Sequence, residues 1–386
     1  MLLESVLAVW LATLGNLPLW RAVMALPETQ RPAGWFGVLV LVLLLTVSLV
    51  VVLGVLMGVL SHRPARRLAG LALLGMSALA SHFMASFGVV IDPGMLANVF
   101  HTDALEVRGL LGWPIVFALI AGVVLPGWFW WRTPVRPVPW GRLAGHRSAL
   151  VLLGSIVFGL LMWVGFQDLS AHMRNHKPLR YMINPYNSAY AVVRQGMSET
   201  RRAAQPLIAI GTDAHAATVA RDPGQAPLVL MVVGETARAA NFGLGGYERD
   251  TTPRLREVAA RGGLVYFSHV QSCGTSTQVS VPCMFSRLGR RGLDAPPEEN
   301  LLDLLQRAGL GVFWLDNQAG CKGVCDRVPH VSARALASAD ACAGEDCPDA
   351  LLVPSLREVV SRLVPQHAGA GSLVVLHQMG NHGPAY

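Results

Sequence analysis

The chain has 386 residues, of which 52% are hydrophobic and only 14% are charged, and its formal net charge is +7. Soluble domains contain about 25% charged residues, so this composition excludes a wholly soluble protein and indicates contact with lipid. The positive charge needs no nucleic acid to explain it, because many arginines lie in short loops between apolar segments and act there as topology signals.

Five apolar stretches are long enough to cross a bilayer, and they lie near residues 3–25, 35–61, 68–91, 109–131 and 148–167. A crossing helix needs about 20 such residues. The first stretch lacks the basic start and the small-residue cleavage site of a signal peptide, so we expect it to be retained. The sequence therefore predicts a five-helix transmembrane domain over residues 1–167.

Arginines distinguish the two sides of the membrane. The loop after the second span contains Arg63, Arg66 and Arg67, and the loop after the fourth contains four more: Arg132, Arg136, Arg142 and Arg147. The positive-inside rule assigns both loops to the cytoplasm. Five spans then place the C-terminal half on the other side of a bacterial inner membrane.

All six cysteines fall in this exported half and none in the spans. An even, locally clustered set is typical of disulfides in an oxidising compartment such as a periplasm. Proximity along the chain favours the pairs Cys273–Cys283, Cys321–Cys325 and Cys342–Cys347. The alternative is a metal knuckle that uses Cys321 and Cys325 as ligands.

Residues 168–225 are predicted to form a polar connector. The Asn184-Pro185 step marks a turn, and residues 188–202 are predicted to form a helix on the membrane surface. From residue 226 to 386 the pattern becomes that of an α/β domain, with strands at 228–233, 311–315 and 373–376 and helices at 300–308 and 355–364. Alternation of strands and helices predicts a largely parallel sheet.

Polar, metal-capable residues follow each of these strands. Glu235 follows the first, Asp316 the second, and His377 and His382 follow the third. The carboxyl ends of strands line the ligand crevice in open α/β sheets, so this pattern predicts a site at that edge. The alternative is that these side chains have no function, since polar residues commonly follow strands.

The segment 272–283 is rich in hydroxyl groups and contains Cys273 and Cys283 near its ends. A disulfide across it would hold a rigid loop, which suits a preorganised nucleophile. A threonine hydroxyl is a weak nucleophile unless a base or metal activates it, and a zinc ion bound by Glu235 is one such activator. The alternative is a Ser/Thr-rich turn that caps a helix beginning near Ser276.

Four motifs closely resemble one protein family. They are residues 232–242 (VVGETARAANF), 246–253 (GYERDTTP), 273–286 and 377–386 (HQMGNHGPAY). In length and order these motifs resemble those of the lipid A phosphoethanolamine transferases, a family that includes the mobile colistin-resistance enzymes. The resemblance covers essentially the whole chain.

The resemblance implies a periplasmic domain of the alkaline phosphatase/sulfatase-like type and a zinc-dependent enzyme that confers polymyxin resistance. Phosphoethanolamine would pass from phosphatidylethanolamine to a lipid A phosphate through a phosphothreonine on Thr277. Glu235 and Thr277 would be zinc ligands, and Lys322 and His382 would contact the phosphoethanolamine group or a second zinc. The resemblance also implies the three neighbouring cysteine pairs.

The membrane half contains one polar stripe. Asn98, Thr102 and Glu106 are four residues apart, which places them on one face of a helix. Glu106 is therefore a candidate partner for the ethanolammonium group of a lipid, as the family resemblance also implies. The alternative is a solvated face of a surface helix.

The chain ends at Tyr386, whereas the family continues with an Asp-His-Gly element that supplies two further zinc ligands. A catalytic zinc usually has three protein ligands. His377, His382 and Asp316 are candidate substitutes for the missing ligands, although nothing in their spacing demands it. The sequence therefore predicts a catalytic domain incomplete at its C-terminus and a chain that is inactive or very weakly active on its own. The alternatives are a membrane-anchored phosphatase, sulfatase or glycerol-phosphate transferase, and a non-catalytic remnant.

Overall fold

The computed structural model describes residues 2–27, 29–30, 34–60, 63–100, 107, 110–134, 139–216, 226–293, 295–318, 320–336, 342, 347–367 and 370–382. The chain divides into two compact units. The first contains Met1–Val99 and Leu111–Ser198, and the second contains Phe100–Leu110 and Glu199–Tyr386. The domain boundaries at residues 167 and 225 stay predictions from the sequence.

Within the described residues, the first unit contains five helices that are long and apolar enough to cross a membrane. They are Leu2–Met24, Gly34–Val59, Pro64–Phe87, Trp113–Arg132 and Gly141–Gln167. All five predicted spans are confirmed. The fifth begins at Gly141 rather than near residue 148, because arginines and polar residues in its first turns do not stop a helix whose later turns are apolar.

Two of these spans are not regular helices. The first consists of Leu2–Ala12, a 3-10 turn at Leu14–Asn16, and Leu17–Met24, and the fourth joins Trp113–Leu119 to Leu125–Arg132 through a π-helical stretch, Ile120–Val124. The remaining helices of the first half are Gly34–Val59, Arg63–Phe87, Pro93–Phe100, Trp140–Asn175, Pro178–Tyr181 and Tyr186–Ala203. The last of these confirms the helix predicted over residues 188–202.

The break in the first span is held by the segment that follows the fifth. Asn16 and Asn184 are both fully buried. The Asn16 side chain donates to the Asn184 carbonyl (2.7 Å) and accepts from the Asn184 amide (2.8 Å). Buried polar groups need such partners, so these two hydrogen bonds fix the break and the connector to each other within the first unit.

The second unit contains a four-stranded sheet in the order β1-β4-β2-β3, in which all neighbouring strands are parallel. The strands are β1 Leu228–Val233, β2 Gly311–Asp316, β3 His330–Ser332 and β4 Ser372–His377. The three predicted strands and their parallel arrangement are confirmed. The sequence did not predict β3, because a strand of three residues leaves no apolar pattern long enough to detect.

The helices of the second unit are Pro253–Ala260, Thr277–Phe285, Leu301–Arg307, Ala333–Leu336 and Leu352–Gln366. Leu301–Arg307 begins with a capping box, in which Asn300 accepts from the Leu302 amide and Asp303 accepts from the Asn300 amide. This helix and Leu352–Gln366 confirm the two predicted helices. The described apolar side chains of the second unit form two buried clusters, one including Phe285 and the other Leu363.

Candidate active site

Three strand ends meet at one edge of the sheet. Val233 at the end of β1 is in register with His377 at the end of β4, and His377 is in register with Asp316 at the end of β2. The predicted convergence of the polar residues that follow these strands is therefore what the topology produces. Parallel strands bring their carboxyl ends to the same edge, which is the usual position of a site in such a sheet.

Glu235 and Thr277 contact each other at this edge. The Thr277 hydroxyl donates a hydrogen bond of 2.9 Å to Glu235 Oε2. Thr277 is the first residue of helix Thr277–Phe285, and the preceding Ser276 makes no side-chain cap. A helix does begin where the capping-turn alternative placed it, but its first hydroxyl points to a carboxylate 42 residues away in sequence.

Thr236 orients the other oxygen of the same carboxylate. Its amide and its hydroxyl both donate to Glu235 Oε1, at 3.1 and 2.9 Å. Thr236 has a φ of 53°, a left-handed conformation that a β-branched residue rarely adopts. The sequence analysis missed Thr236, because nothing in the local pattern predicts a positive φ for threonine.

The loop after β4 packs against the backbone of Glu235. Gly380 has a φ of 56°, and a Cβ at this position would collide with the Glu235 carbonyl oxygen. Asp349, which the sequence analysis also missed, accepts from the amides of Met379 (2.8 Å) and Gly380 (2.9 Å). These two hydrogen bonds hold the loop alongside Glu235.

Asp316 and His377 form a separate, buried pair. His377 is fully buried, and its Nδ1 lies 2.8 Å from Asp316 Oδ1. Asp316 also accepts from Trp314 Nε1 (3.1 Å) and, through Oδ2, from the Gly320 amide (3.0 Å). Both carboxylate oxygens of Asp316 are used internally, so the geometry gives no support to Asp316 as a substitute ligand for a metal at Glu235. His377 Nε2 is buried with no hydrogen-bond partner among the described residues, and its role as such a ligand stays a prediction.

All six cysteines are paired as proximity predicted, in disulfides Cys273–Cys283, Cys321–Cys325 and Cys342–Cys347. The metal-knuckle alternative is wrong. In the described part of the chain, one group of metal-type side chains forms a cluster, Cys321, Cys325 and Asp326, but its two sulfurs are bonded to each other. The first disulfide joins the segment before Thr277 to the helix that Thr277 begins, and it therefore restrains that residue.

The other predicted site residues have different outcomes. Lys322 lies inside the loop closed by Cys321–Cys325 and has a φ of 51°. His382 lies in the loop after β4, where its amide donates to the Met379 carbonyl. Asn98 lies in helix Pro93–Phe100, whereas Thr102 and Glu106 lie outside the described residues. The roles of these residues stay predictions.

Two ion pairs support helix Leu301–Arg307 in the same unit. Burial alone would raise the pKa of the Asp303 carboxyl, but hydrogen bonds from Arg327 and the Asn300 amide outweigh it and hold that pKa below its ordinary value. Hydrogen bonds from Arg307 likewise lower the pKa of Glu299. Both carboxylates are therefore charged and paired at neutral pH.

Comparison with known proteins gives two family matches. Residues 49–199 match the family model of phosphoethanolamine transferase EptA/EptB, and residues 227–386 match the sulfatase model. The phosphatidylethanolamine transferase Mcr-2 of Escherichia coli is 34% identical over 396 aligned residues, which cover 100% of this chain and 71% of the relative. The chain belongs to the phosphoethanolamine transferase family.

A solved structure and a second relative agree with this membership. The integral membrane lipooligosaccharide phosphoethanolamine transferase A of Neisseria meningitidis has a TM-score of 0.89 at 30% identity, over 100% of this chain and 70% of that one. The phosphoethanolamine transferase EptA of Salmonella typhimurium is 37% identical over 325 residues, 83% of this chain. The match spans 57% of that relative's length.

Three predictions are thereby confirmed. The chain belongs to the family that its motifs indicated. It combines five membrane helices with a sulfatase-like α/β unit built on a parallel sheet. It is a multi-pass protein of the bacterial inner membrane, with its C-terminal unit on the periplasmic side.

Proposed function

We propose that the protein transfers phosphoethanolamine from phosphatidylethanolamine to a phosphate of lipid A, and that this confers polymyxin resistance. The names of its relatives support the transfer reaction. The observation that carries the proposal for this chain is the hydrogen bond of 2.9 Å between Thr277 and Glu235. We also propose residues 1–167 as the membrane domain, 168–225 as the connector and 226–386 as the catalytic domain.

Thr277 is the nucleophile in this proposal. Its oxygen attacks the phosphorus of the donor lipid, the bond from phosphorus to the glycerol oxygen breaks, and diacylglycerol leaves with a proton. A phosphate oxygen of lipid A then attacks the phosphothreonine, the bond from phosphorus to the Thr277 oxygen breaks, and that oxygen takes up the proton that the attacking phosphate loses. The helix that starts at Thr277 directs its N-terminal amides toward this position, which favours the negative charge of a phosphoryl group.

Glu235 orients the Thr277 hydroxyl and accepts its hydrogen bond before the first step. Its Oε2 takes the hydrogen bond of the Thr277 hydroxyl, and its Oε1 is held by Thr236. A carboxylate fixed at both oxygens cannot rotate away from the nucleophile, and such preorganisation keeps the reacting atoms in place.

Glu235 and Thr277 also fit a zinc ion. A carboxylate oxygen such as Glu235 Oε2 is an ordinary zinc ligand, and the Thr277 hydroxyl oxygen lies 2.9 Å from it. When bound there, the ion would stabilise the threonine alkoxide as a Lewis acid. We further propose that Lys322 and His382 contact the phosphoethanolamine group, and that Asn98, Thr102 and Glu106 bind the donor lipid.

The test is mass spectrometry of lipid A from a polymyxin-sensitive Gram-negative host. The host would express the 386-residue chain and, separately, the longest form that the gene encodes. Thr277→Ala removes the proposed nucleophile, and Thr275→Ala is the matched control, because Thr275 is an exposed hydroxyl two residues away in the same loop.

In whichever of the two expressed forms modifies lipid A, we expect the Thr275→Ala variant to add phosphoethanolamine to lipid A. The Thr277→Ala variant of the same form is expected to add none. Lipid A modification that survives Thr277→Ala would remove Thr277 as the nucleophile. Release of free phosphoethanolamine without lipid A modification would instead identify a hydrolase. If neither form modified lipid A, the proposed transferase activity would be wrong.

A further inference from the structure

Three charged side chains meet inside the first unit. Glu4 Oε1 accepts from Arg66 Nη2 at 2.6 Å and from Arg147 Nη2 at 3.0 Å. The Glu4 side chain is 2% exposed, and those of Arg66 and Arg147 are 17% and 13% exposed. These residues come from the first, third and fifth spans, so the cluster joins three helices of the membrane unit.

The charges of this cluster do not balance. Two guanidinium groups share one carboxylate, and within the described part of the chain no other carboxylate forms an ion pair with either arginine. Three of their nitrogens, Arg66 Nε and Arg147 Nε and Nη1, are buried without a hydrogen-bond partner among the described residues. Uncompensated charge and unpaired donors are costly in a low-dielectric setting, so the cluster is suited to an additional anion.

Arg147 is held in place by the helix beneath it. A Cβ added at Gly54 would lie 3.2 Å from Arg147 Nη1, and one added at Gly58 would lie 3.2 Å from Arg147 Nε. The two glycines therefore let the guanidinium lie against helix Gly34–Val59. A fixed guanidinium presents its donors in one geometry, which suits recognition of a phosphate.

The cluster lies near one end of the helices rather than at their centre. Glu4 is the third residue of Leu2–Ala12, Arg66 is the fourth residue of Arg63–Phe87, and Arg147 is the eighth residue of the 36-residue helix Trp140–Asn175. With five spans and a periplasmic C-terminal unit, these ends face the cytoplasm. Arg67 and Arg132, which lie over the rings of Trp131 and Trp128, are the kind of residue that anchors helices at a membrane interface.

We propose that Arg66 and Arg147 bind the phosphate of an anionic phospholipid of the cytoplasmic leaflet. The headgroup phosphates of that leaflet lie at the depth of the helix ends, and basic pockets between membrane helices are suited to them. The side chains of Arg66 and Arg147 are 17% and 13% exposed, and the single carboxylate of Glu4 leaves them an excess positive charge. This site is distinct from the proposed catalytic pair in the second unit.

The test is lipid binding by the purified 386-residue chain in detergent, measured by native mass spectrometry. The probes are phosphatidylglycerol, phosphatidylcholine with the same acyl chains, and inorganic phosphate as a competitor. The variants are Arg147→Gln and Arg66→Gln, and the control is Arg67→Gln, a neighbouring arginine that stacks on Trp131 instead of joining the cluster.

Both lipids offer the same phosphate to the arginines, but phosphatidylcholine also carries a quaternary ammonium that the excess positive charge of the cluster repels. We therefore expect phosphatidylglycerol to bind about tenfold more tightly than phosphatidylcholine. Arg147→Gln and Arg66→Gln are expected to lose this preference, and Arg67→Gln is expected to retain it. If Arg147→Gln preferred phosphatidylglycerol as strongly as the unchanged chain does, the proposal would be overturned. Displacement of the lipid by millimolar inorganic phosphate would also overturn it, since the site would then take free phosphate.

Glu4→Gln provides a second test in case the arginine variants do not fold. This change removes the competing carboxylate and keeps both guanidinium groups, so the preference for phosphatidylglycerol is expected to persist or increase. If the cluster only links the helices, the Glu4→Gln variant will bind phosphatidylglycerol and phosphatidylcholine equally well. That result would contradict the proposal.

Discussion

The two units of the molecule treat buried charge differently. In the second unit, Asp303 is paired with Arg327 through two hydrogen bonds of 2.7 and 2.6 Å. In the first unit, Glu4 faces two arginines at once. One arrangement is balanced between two side chains, and the other leaves an excess positive charge at the end of the membrane helices.

The difference indicates what each unit does with its polar groups. In the second unit they fix a loop or a helix so that Glu235 and Thr277 stay in contact. In the first unit, neutral pairs such as Asn16 and Asn184 fix the helix packing, while the unbalanced cluster remains available to lipid. A substitution in a balanced pair should therefore cost folding free energy, and one in the unbalanced cluster should mainly change lipid binding.

The largest expected loss of stability is for Arg327→Gln. It leaves the Asp303 carboxylate, which is 6% exposed, without its partner. We expect a loss of about 2–3 kcal/mol in the free energy of unfolding, less than for a fully buried pair because Arg327 is 36% exposed. Denaturant unfolding of the purified chain in detergent measures it.

The matched control for that change is Arg362→Gln. Arg362 pairs with Glu358 one turn away on a helix surface, where the two side chains are 75% and 40% exposed. Such pairs contribute about 0.3–0.5 kcal/mol. Equal effects of the two substitutions would show that burial does not distinguish these ion pairs, and the contrast between balanced and exposed pairs would be lost.

The next effect is expected for Gly380→Ala. The new methyl group would meet the Glu235 carbonyl oxygen, at a residue whose φ is 56°. We expect about 2 kcal/mol of destabilisation and a loss of transferase activity in the active form of the protein. Gly289→Ala is the control, because Gly289 has nearly the same φ, 53°, with no atom within 4 Å of the added Cβ. If Gly289→Ala lost as much stability and activity as Gly380→Ala, the contact between residue 380 and the Glu235 carbonyl would not explain the effect.

A smaller effect is expected for Asn16→Ala in the first unit. It removes the reciprocal hydrogen bonds with Asn184, which together typically contribute about 1–2 kcal/mol to the free energy of unfolding. The thermal midpoint of the chain in detergent should fall, while lipid preference at the Glu4 cluster should not change. A change in lipid preference without a change in midpoint would contradict the separation of the two roles.

The smallest effect is a pH dependence in the second unit. The folded pKa of Asp303 is below its ordinary value, so the unfolded chain takes up that proton first as the pH falls. The contribution is complete above the unfolded pKa of about 3.9 and is lost as the pH falls through the folded pKa. Asp303→Asn should therefore flatten the stability profile below about pH 4. An unchanged profile would rule out Asp303 as a source of the acid sensitivity.

The sequence predicted what depends on local pattern. Apolar length predicted the five spans, alternation predicted the parallel sheet, and the position of Glu235 directly after a strand predicted its place at the carboxyl edge of that sheet. The remaining features depend on contacts between distant residues. Arg66 and Arg147 are 62 and 143 positions from Glu4, and Asp349 joins the site only because its loop folds against the amides of Met379 and Gly380.

The most direct test of the central claim is to locate the covalent intermediate. The longest form that the gene encodes would be incubated with phosphatidylethanolamine without lipid A, digested, and mapped by mass spectrometry. We predict one phosphoethanolamine group on Thr277, and none in a Thr277→Ala variant or after Glu235→Gln. A phosphoethanolamine group on another residue, or labelling that persists in Thr277→Ala, would contradict the assignment of the Glu235–Thr277 pair as the catalytic centre.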